Sequence, residues 1–122
     1  MERKTILVID DEQDFAKLLK LNLESAGEYR VLTAGGAEEG LAAIERERPD
    51  LVLLDIMMPG LGGLEALPKI KALSPETPVA MVTAVWKEDE AKRAFRAGAY
   101  EYITKPVDLE HLRRALLVKL FA

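Results

Sequence analysis

Short apolar runs alternate with longer amphipathic stretches along the whole chain. The runs are Ile6–Ile9, Tyr29–Leu32, Leu51–Leu54, Val79–Val82 and Tyr100–Ile103. The first, third and fourth are unbroken apolar blocks, the pattern of strands buried on both faces. Between the runs, apolar residues recur at helical spacing. Phe15, Leu18, Leu19 and Leu23 form one stripe, stopped by Gly27. Ala37, Leu41 and Ile44 form a second that ends before Pro49, and Leu64, Leu67, Ile70 and Leu73 form a third. Pro68 falls early in that third helix, where a proline is borne best. Ala91, Ala94 and Phe95 form a fourth, closed by Gly98. Leu109, Leu112 and Leu116 form a fifth, with Asp108 as its N-cap and Ala122 as its end. Strand then helix, five times over, predicts an α/β domain with a parallel sheet and helices on both faces.

At 122 residues the chain is expected to be one domain, residues 1–122. With 49% apolar and 31% charged residues it has a globular composition. The net charge of −4 excludes a nucleic-acid binder that works by bulk positive charge. With no cysteine and one histidine, disulfides, thiolate metal sites, iron–sulfur clusters and multi-histidine centres are excluded. The apolar run behind Met1-Glu2-Arg3-Lys4 is stopped by Asp10-Asp11, too soon for a signal-peptide core. No segment approaches the ~18 apolar residues that read as a membrane span. A cytoplasmic protein is expected.

The chemistry gathers just past the strands. The first strand runs into Asp10-Asp11, the third into Asp55, the fourth into Thr83, and the fifth into Thr104-Lys105-Pro106. The second offers only Thr33 and a glycine pair, as suits a strand on the outer side. Open α/β sheets bind ligands at the carboxyl ends of their strands. Each feature alone has an ordinary use: a helix N-cap for Asp10-Asp11, a turn for Asp55, a strand end for Thr83, loop punctuation for Lys105-Pro106. Together they furnish one edge with three acids, a hydroxyl and a lysine. With a strand order of 2-1-3-4-5, the three acids share a crevice. Two carboxylates ~5 Å apart at an effective dielectric near 20 repel by about 3 kcal/mol. Protonation or a cation must relieve this, and all-oxygen ligands select a hard ion, Mg²⁺ foremost. Mg²⁺ points to phosphate chemistry, with a carboxylate as nucleophile.

These landmarks, Ile9-Asp10-Asp11, Leu54 to Gly60, Val82-Thr83-Ala84, Gly98-Ala99-Tyr100 and Tyr102 to Pro106, fall in order along almost the whole chain. In this it resembles the response-regulator receiver domains of two-component signalling, the class that includes the single-domain chemotaxis receivers. The resemblance implies the flavodoxin-like order 2-1-3-4-5 with five helices. It implies that Asp55 accepts a phosphoryl group from a phosphohistidine on a sensor histidine kinase or phosphotransfer protein. Asp10, Asp11, Asp55 and the Met57 backbone carbonyl would hold Mg²⁺, with Asp11 a direct ligand. Lys105 and the Ala84 N–H would contact the phosphoryl group, and a cis Lys105–Pro106 bond would aim the lysine inward. Thr83 and Tyr102 would form a switch pair that resets the surface of helix four, strand five and helix five. That surface would control an output domain or downstream protein, or mediate a phosphorylation-dependent homodimer. Such a protein is a signalling phospho-acceptor, not an enzyme acting on other substrates. Neither direct nucleic-acid binding nor membrane binding is implied.

The chain departs from the commonest family pattern at Gly62, where many relatives carry aspartate. Met57 and Val85 occupy two variable positions beside the path of the attacking water, and both are apolar here. A shielded, slowly hydrolysed acyl phosphate is expected. Trp86, the sole tryptophan, is read as a loop aromatic or a partner contact. His111 lies off its helix's apolar stripe and is read as a surface residue. The apolar tail Leu117–Phe121 is read as core or as a docking face. Three rival readings remain: an aspartyl-nucleophile phosphatase, a flavin module and a pseudo-receiver that only binds partners. The first wants a second acid where Met57 stands. The second wants a hydroxyl- and glycine-rich loop where Asp10-Asp11-Glu12 stands. The third fits poorly, since every landmark is present.

Overall fold

The computed structural model describes residues 3–121; the expected end of the last helix at Ala122 lies outside them, as do Met1 and Glu2. The elements are β1 (Lys4–Ile9), α1 (Gln13–Glu24), β2 (Tyr29–Ala34), α2 (Ala37–Glu47), β3 (Leu51–Asp55), α3 (Gly63–Leu73), β4 (Val79–Thr83), α4 (Glu88–Arg96), β5 (Glu101–Thr104) and α5 (Leu109–Phe121). All four ladders are parallel and the sheet order is β2-β1-β3-β4-β5. This is the expected doubly wound sheet, with β2 at one edge.

The apolar blocks have a direct cause. Successive side chains of a strand point to opposite faces, and both faces here are covered. Leu7 and Ile9 of β1, Val52 and Leu54 of β3, and Val79 and Met81 of β4 share a core with Ile44, Leu67, Ile70 and Ala94 from α2, α3 and α4. Ile6, Val8, Leu51, Leu53, Ala80 and Val82 share the other with Leu19 and Leu23 of α1 and Leu112 and Leu116 of α5. A polar residue anywhere in these blocks would face one core or the other. Each buried aliphatic contributes roughly 1.5–3 kcal/mol.

Strands β3 and β4 end on Asp55 and Thr83, as the sequence reading has them. Other boundaries and faces differ. Strand β5 runs Glu101–Thr104, one residue later than the Tyr100–Ile103 run, with the Tyr100 N–H bonding the Val79 carbonyl at 2.9 Å just ahead of the ladder. Leu18, Leu73 and Phe95 belong to the predicted stripes yet are exposed. Leu18 and Phe95 sit a helical step round from the residues that meet the sheet, Leu19 in α1 and Ala94 in α4. Pro68 is the sixth of the eleven residues of α3, deeper than the first turn; it is solvent-exposed, and its missing N–H leaves only the Leu64 carbonyl without its helical donor. The other punctuation is as expected. Gly27 and Gly98 take left-handed backbone, and the Asp108 carboxylate caps α5 by accepting the His111 N–H at 3.1 Å.

One glycine sets the distance between a helix and the strand end that carries Asp55. A Cβ on Gly63 would collide with the Asp55 carbonyl oxygen and the Ile56 Cα. The Gly63 N–H meanwhile bonds the Ile56 carbonyl at 2.9 Å. Neither clash involves a side chain that could swing aside. Gly63→Ala is therefore expected to cost about 1–3 kcal/mol in urea unfolding. A loss below about 0.5 kcal/mol would show that the Met57–Gly62 loop gives way freely.

Candidate functional site

Parallel order places the ends of β1, β3, β4 and β5 along one edge, and the polar residues of the sequence meet there. Asp10 follows β1 and is 2% exposed; Asp55 closes β3 and is 4% exposed. Asp11, one residue on, faces solvent. Carboxylate oxygens of Asp10, Asp11 and Asp55 all lie within 4.8 Å of one another. Three acids this close, two of them buried, make a donor set of the kind that suits a hard divalent cation. They do not cap α1: Glu12 holds the N-cap position, and the Asp10 Oδ1 accepts the Glu12 N–H at 2.8 Å. The Met57 N–H donates to the Asp55 Oδ1 at 3.3 Å, which fixes the turn after β3 beside the carboxylate.

Lys105 directly follows the end of β5, and the Lys105–Pro106 peptide after it is cis. Its backbone N–H bonds the Thr83 carbonyl at 2.7 Å. Its ammonium lies 3.0 Å from the Asp10 Oδ2, also pairs with the Glu12 carboxylate, and stands 4.4 Å from the centre of the Phe15 ring. Among the described residues Lys105 makes no ion pair with Asp55. Ala84 is exposed just past Thr83 and lines, with Phe15, Leu18, Lys105, Pro106 and Leu109, a groove of about 440 Å³. Sequence reasoning missed Glu12 and Phe15 as neighbours of the lysine. Glu12 adjoins the acid pair, which was a signal. Nothing in the sequence brings Lys105, 93 residues away, onto it.

Thr83 is 1% exposed, and its hydroxyl donates to the Val85 carbonyl at 3.3 Å. Tyr102 is 8% exposed, and its hydroxyl has no hydrogen-bond partner among the described residues. Burial pushes the Tyr102 phenol above its ordinary value. Trp86 packs edge-on against the Tyr102 ring, 5.1 Å between centroids. The lone tryptophan thus touches the predicted switch tyrosine. His111 is exposed, as expected. The Leu117–Phe121 tail is mixed: Leu117 and Val118 are exposed, Leu120 packs against the core, and Phe121 lies 6.0 Å from the Tyr29 ring.

The electrostatics follow from burial. Desolvation, then the Asp10 carboxylate, push the Asp55 carboxyl up from an ordinary 3.8 to about 7; Lys105 and the Met57 N–H only partly offset this. The fold without a cation therefore favours neutral Asp55. That contribution to stability is complete below pH ~4 and is lost as pH rises through about 7. Asp55→Asn is expected to stabilise the cation-free protein at pH 8 by on the order of 2 kcal/mol, with the gain shrinking toward pH 4. Millimolar Mg²⁺ should narrow the gap at pH 8. Urea unfolding at the two pH values, with and without Mg²⁺, checks it; a gain that does not grow with pH would contradict the assignment.

Comparison with known proteins agrees with this geometry. The sequence profile of the response regulator receiver domain matches residues 6–117. The alkaline phosphatase synthesis transcriptional regulatory protein PhoP of Bacillus subtilis is 42% identical over 103 residues, 84% of this chain and 42% of that protein. The chain spans less than half the length of the curated relatives it matches. The crystal structure of a CheY-like response regulator receiver domain protein from Methanospirillum hungatei superposes with a TM-score of 0.92 at 38% identity, covering 98% of this chain and 94% of that one. A response regulator from Burkholderia pseudomallei, crystallised with a phosphorylated aspartic acid, a calcium ion and citrate, superposes with a TM-score of 0.86 at 30% identity, covering 93% of this chain and 66% of that one. By sequence and by fold alike, the chain belongs to the response regulator receiver domains of two-component systems.

Proposed function

We propose that this receiver takes a phosphoryl group onto Asp55 and reports it through Thr83 and Tyr102. The observation that carries the reading is the convergence of Asp10, Asp11 and Asp55 oxygens within 4.8 Å, beside the Lys105 ammonium. The relative with a phosphorylated aspartic acid and a calcium ion supports it. The donor is a phosphohistidine of a sensor histidine kinase or phosphotransfer protein. An Asp55 carboxylate oxygen forms the new bond to phosphorus as the phosphorus–nitrogen bond breaks. The departing imidazole keeps the electron pair and takes a proton from water.

Asp10, Asp11, Asp55 and the Met57 carbonyl would hold Mg²⁺, which supplies positive charge that lets Asp55 stay ionised and offsets charge on the phosphoryl oxygens. Lys105 neutralises a phosphoryl oxygen, and the Ala84 N–H donates to another. Thr83 gives up its bond to the Val85 carbonyl and turns toward the phosphoryl group. Tyr102 then rotates, which shifts the surface of α4, β5 and α5 between two populations. That surface engages an output domain, a separate partner or a second phosphorylated copy. Residues 1–122 act as one receiver unit, working in the cytoplasm and without direct contact with nucleic acid. No helix among the described residues is long and apolar enough to cross a membrane.

Incubation with Mg²⁺ and acetyl phosphate, followed by intact-mass spectrometry, is expected to add one phosphoryl group, absent in Asp55→Asn and without Mg²⁺. Addition elsewhere, or none, would favour the pseudo-receiver. Because Trp86 packs on Tyr102, its fluorescence is expected to change with the same time course in the wild type and not in Asp55→Asn. With apolar Met57 and Val85 beside the site, the phospho-form should persist for minutes or longer; decay within seconds would exclude shielding by these side chains.

A further inference from the structure

Resting on that reading, the geometry points to Glu12 as a positioning residue: its carboxylate holds the Lys105 ammonium toward α1, in competition with the phosphoryl group on Asp55. An ammonium has three donors. Here one meets Asp10 and one meets Glu12, while the cation also lies over the Phe15 ring. Asp10 and Glu12 come from the segment that joins β1 to α1, and Phe15 from the first turn of α1. One donor is left over, but these partners together hold the ammonium on the α1 side, and turning it toward a phosphoryl oxygen works against their pull. Asp10 belongs to the converging acids and would be drawn to a cation. Glu12 does not belong to that set and stays free to compete.

The Glu12 side chain has no other task. It occupies the N-cap of α1 yet makes no capping bond with its side chain, and the helix is held there instead through backbone groups. Its only ion pair among the described residues is with Lys105. The lysine is 12% exposed and Glu12 62%, so the contact joins a shielded cation to a well-hydrated anion. Such a pair is worth little for stability. It is well suited to set how much of the time Lys105 is available.

The test compares wild type, Glu12→Gln and Asp14→Asn. Asp14 is an exposed acid in the same first turn, so its variant removes an equal charge without touching Lys105. The rate constant for phosphorylation by acetyl phosphate at saturating Mg²⁺ is expected to rise about threefold or more in Glu12→Gln and less than about 1.5-fold in Asp14→Asn. Added salt should shrink the gap between wild type and Glu12→Gln, since it screens the pair in the wild type. In a second arm, without donor or Mg²⁺, the Lys105 ε-methylene protons should carry a ring-current shift from Phe15 that falls in Glu12→Gln and persists in Asp14→Asn. Equal rates in the two variants, a slower Glu12→Gln, or an unchanged ring-current shift would overturn the inference while leaving the receiver reading intact. A wild type that takes up no phosphoryl group would overturn both.

Discussion

Three carboxylates against one well-shielded ammonium is the interaction on which the site depends. The parallel sheet brings Asp10, Asp11 and Asp55 together because β1 and β3 are neighbours and their acids fall at the same end. Nothing in the packing requires acids there; ordinary caps and turns would close these strands as well. The cluster stores repulsion that only neutralisation can relieve. A proton on Asp55, a divalent cation, or the Lys105 ammonium each relieves part of it. The folded chain is therefore most comfortable when something positive occupies the crevice, which is the property the proposed phosphoryl transfer would require.

The scaffold keeps that imbalance from spreading. Each inner strand divides its apolar residues between two cores, and the polar residues begin only where the strands leave those cores. Helices α2, α3 and α4 seal one face, and α1 and α5 the other. Gly63 lets the start of α3 lie against the backbone of Asp55 and Ile56, so the turn after the central acid has little room to shift. The ends of β1 and β3 hold Asp10 and Asp55, while Thr83 closes β4, Tyr102 lies within β5, and Trp86 stands on the exposed loop before α4.

Much of this was legible in the sequence, for a physical reason. Unbroken blocks such as Leu51–Leu54 are expensive to place anywhere but a doubly covered sheet, and the residue after such a block must lie at its edge. The strand ends at Asp55 and Thr83 followed from that. Partnerships across the fold did not. Phe15 read as core and does pack against one, but its spacing did not announce that its ring also faces a cation. The Glu12–Lys105 pair joins residues 93 apart, and no local pattern announces it. Leu18 and Phe95 were misplaced because an apolar residue beside a stripe looks the same from the sequence whether it meets the sheet or water.

The connectivity has a consequence for the order in which the charges come together. The acids lie in the first half of the chain, and the lysine that counters them arrives with β5, near the end. A nascent chain that has released β1 through β3 already has its crevice acids and lacks the cation of its own that balances them. Long-range closure of this kind is slow, because loop entropy is spent before the contact forms. Wherever β1 and β3 pair before Lys105 emerges, protons or divalent ions of the surroundings are the counter-charges within reach. The chain's own cation is thus the last of the charged groups to join the site, and the acids meet the solvent's cations first.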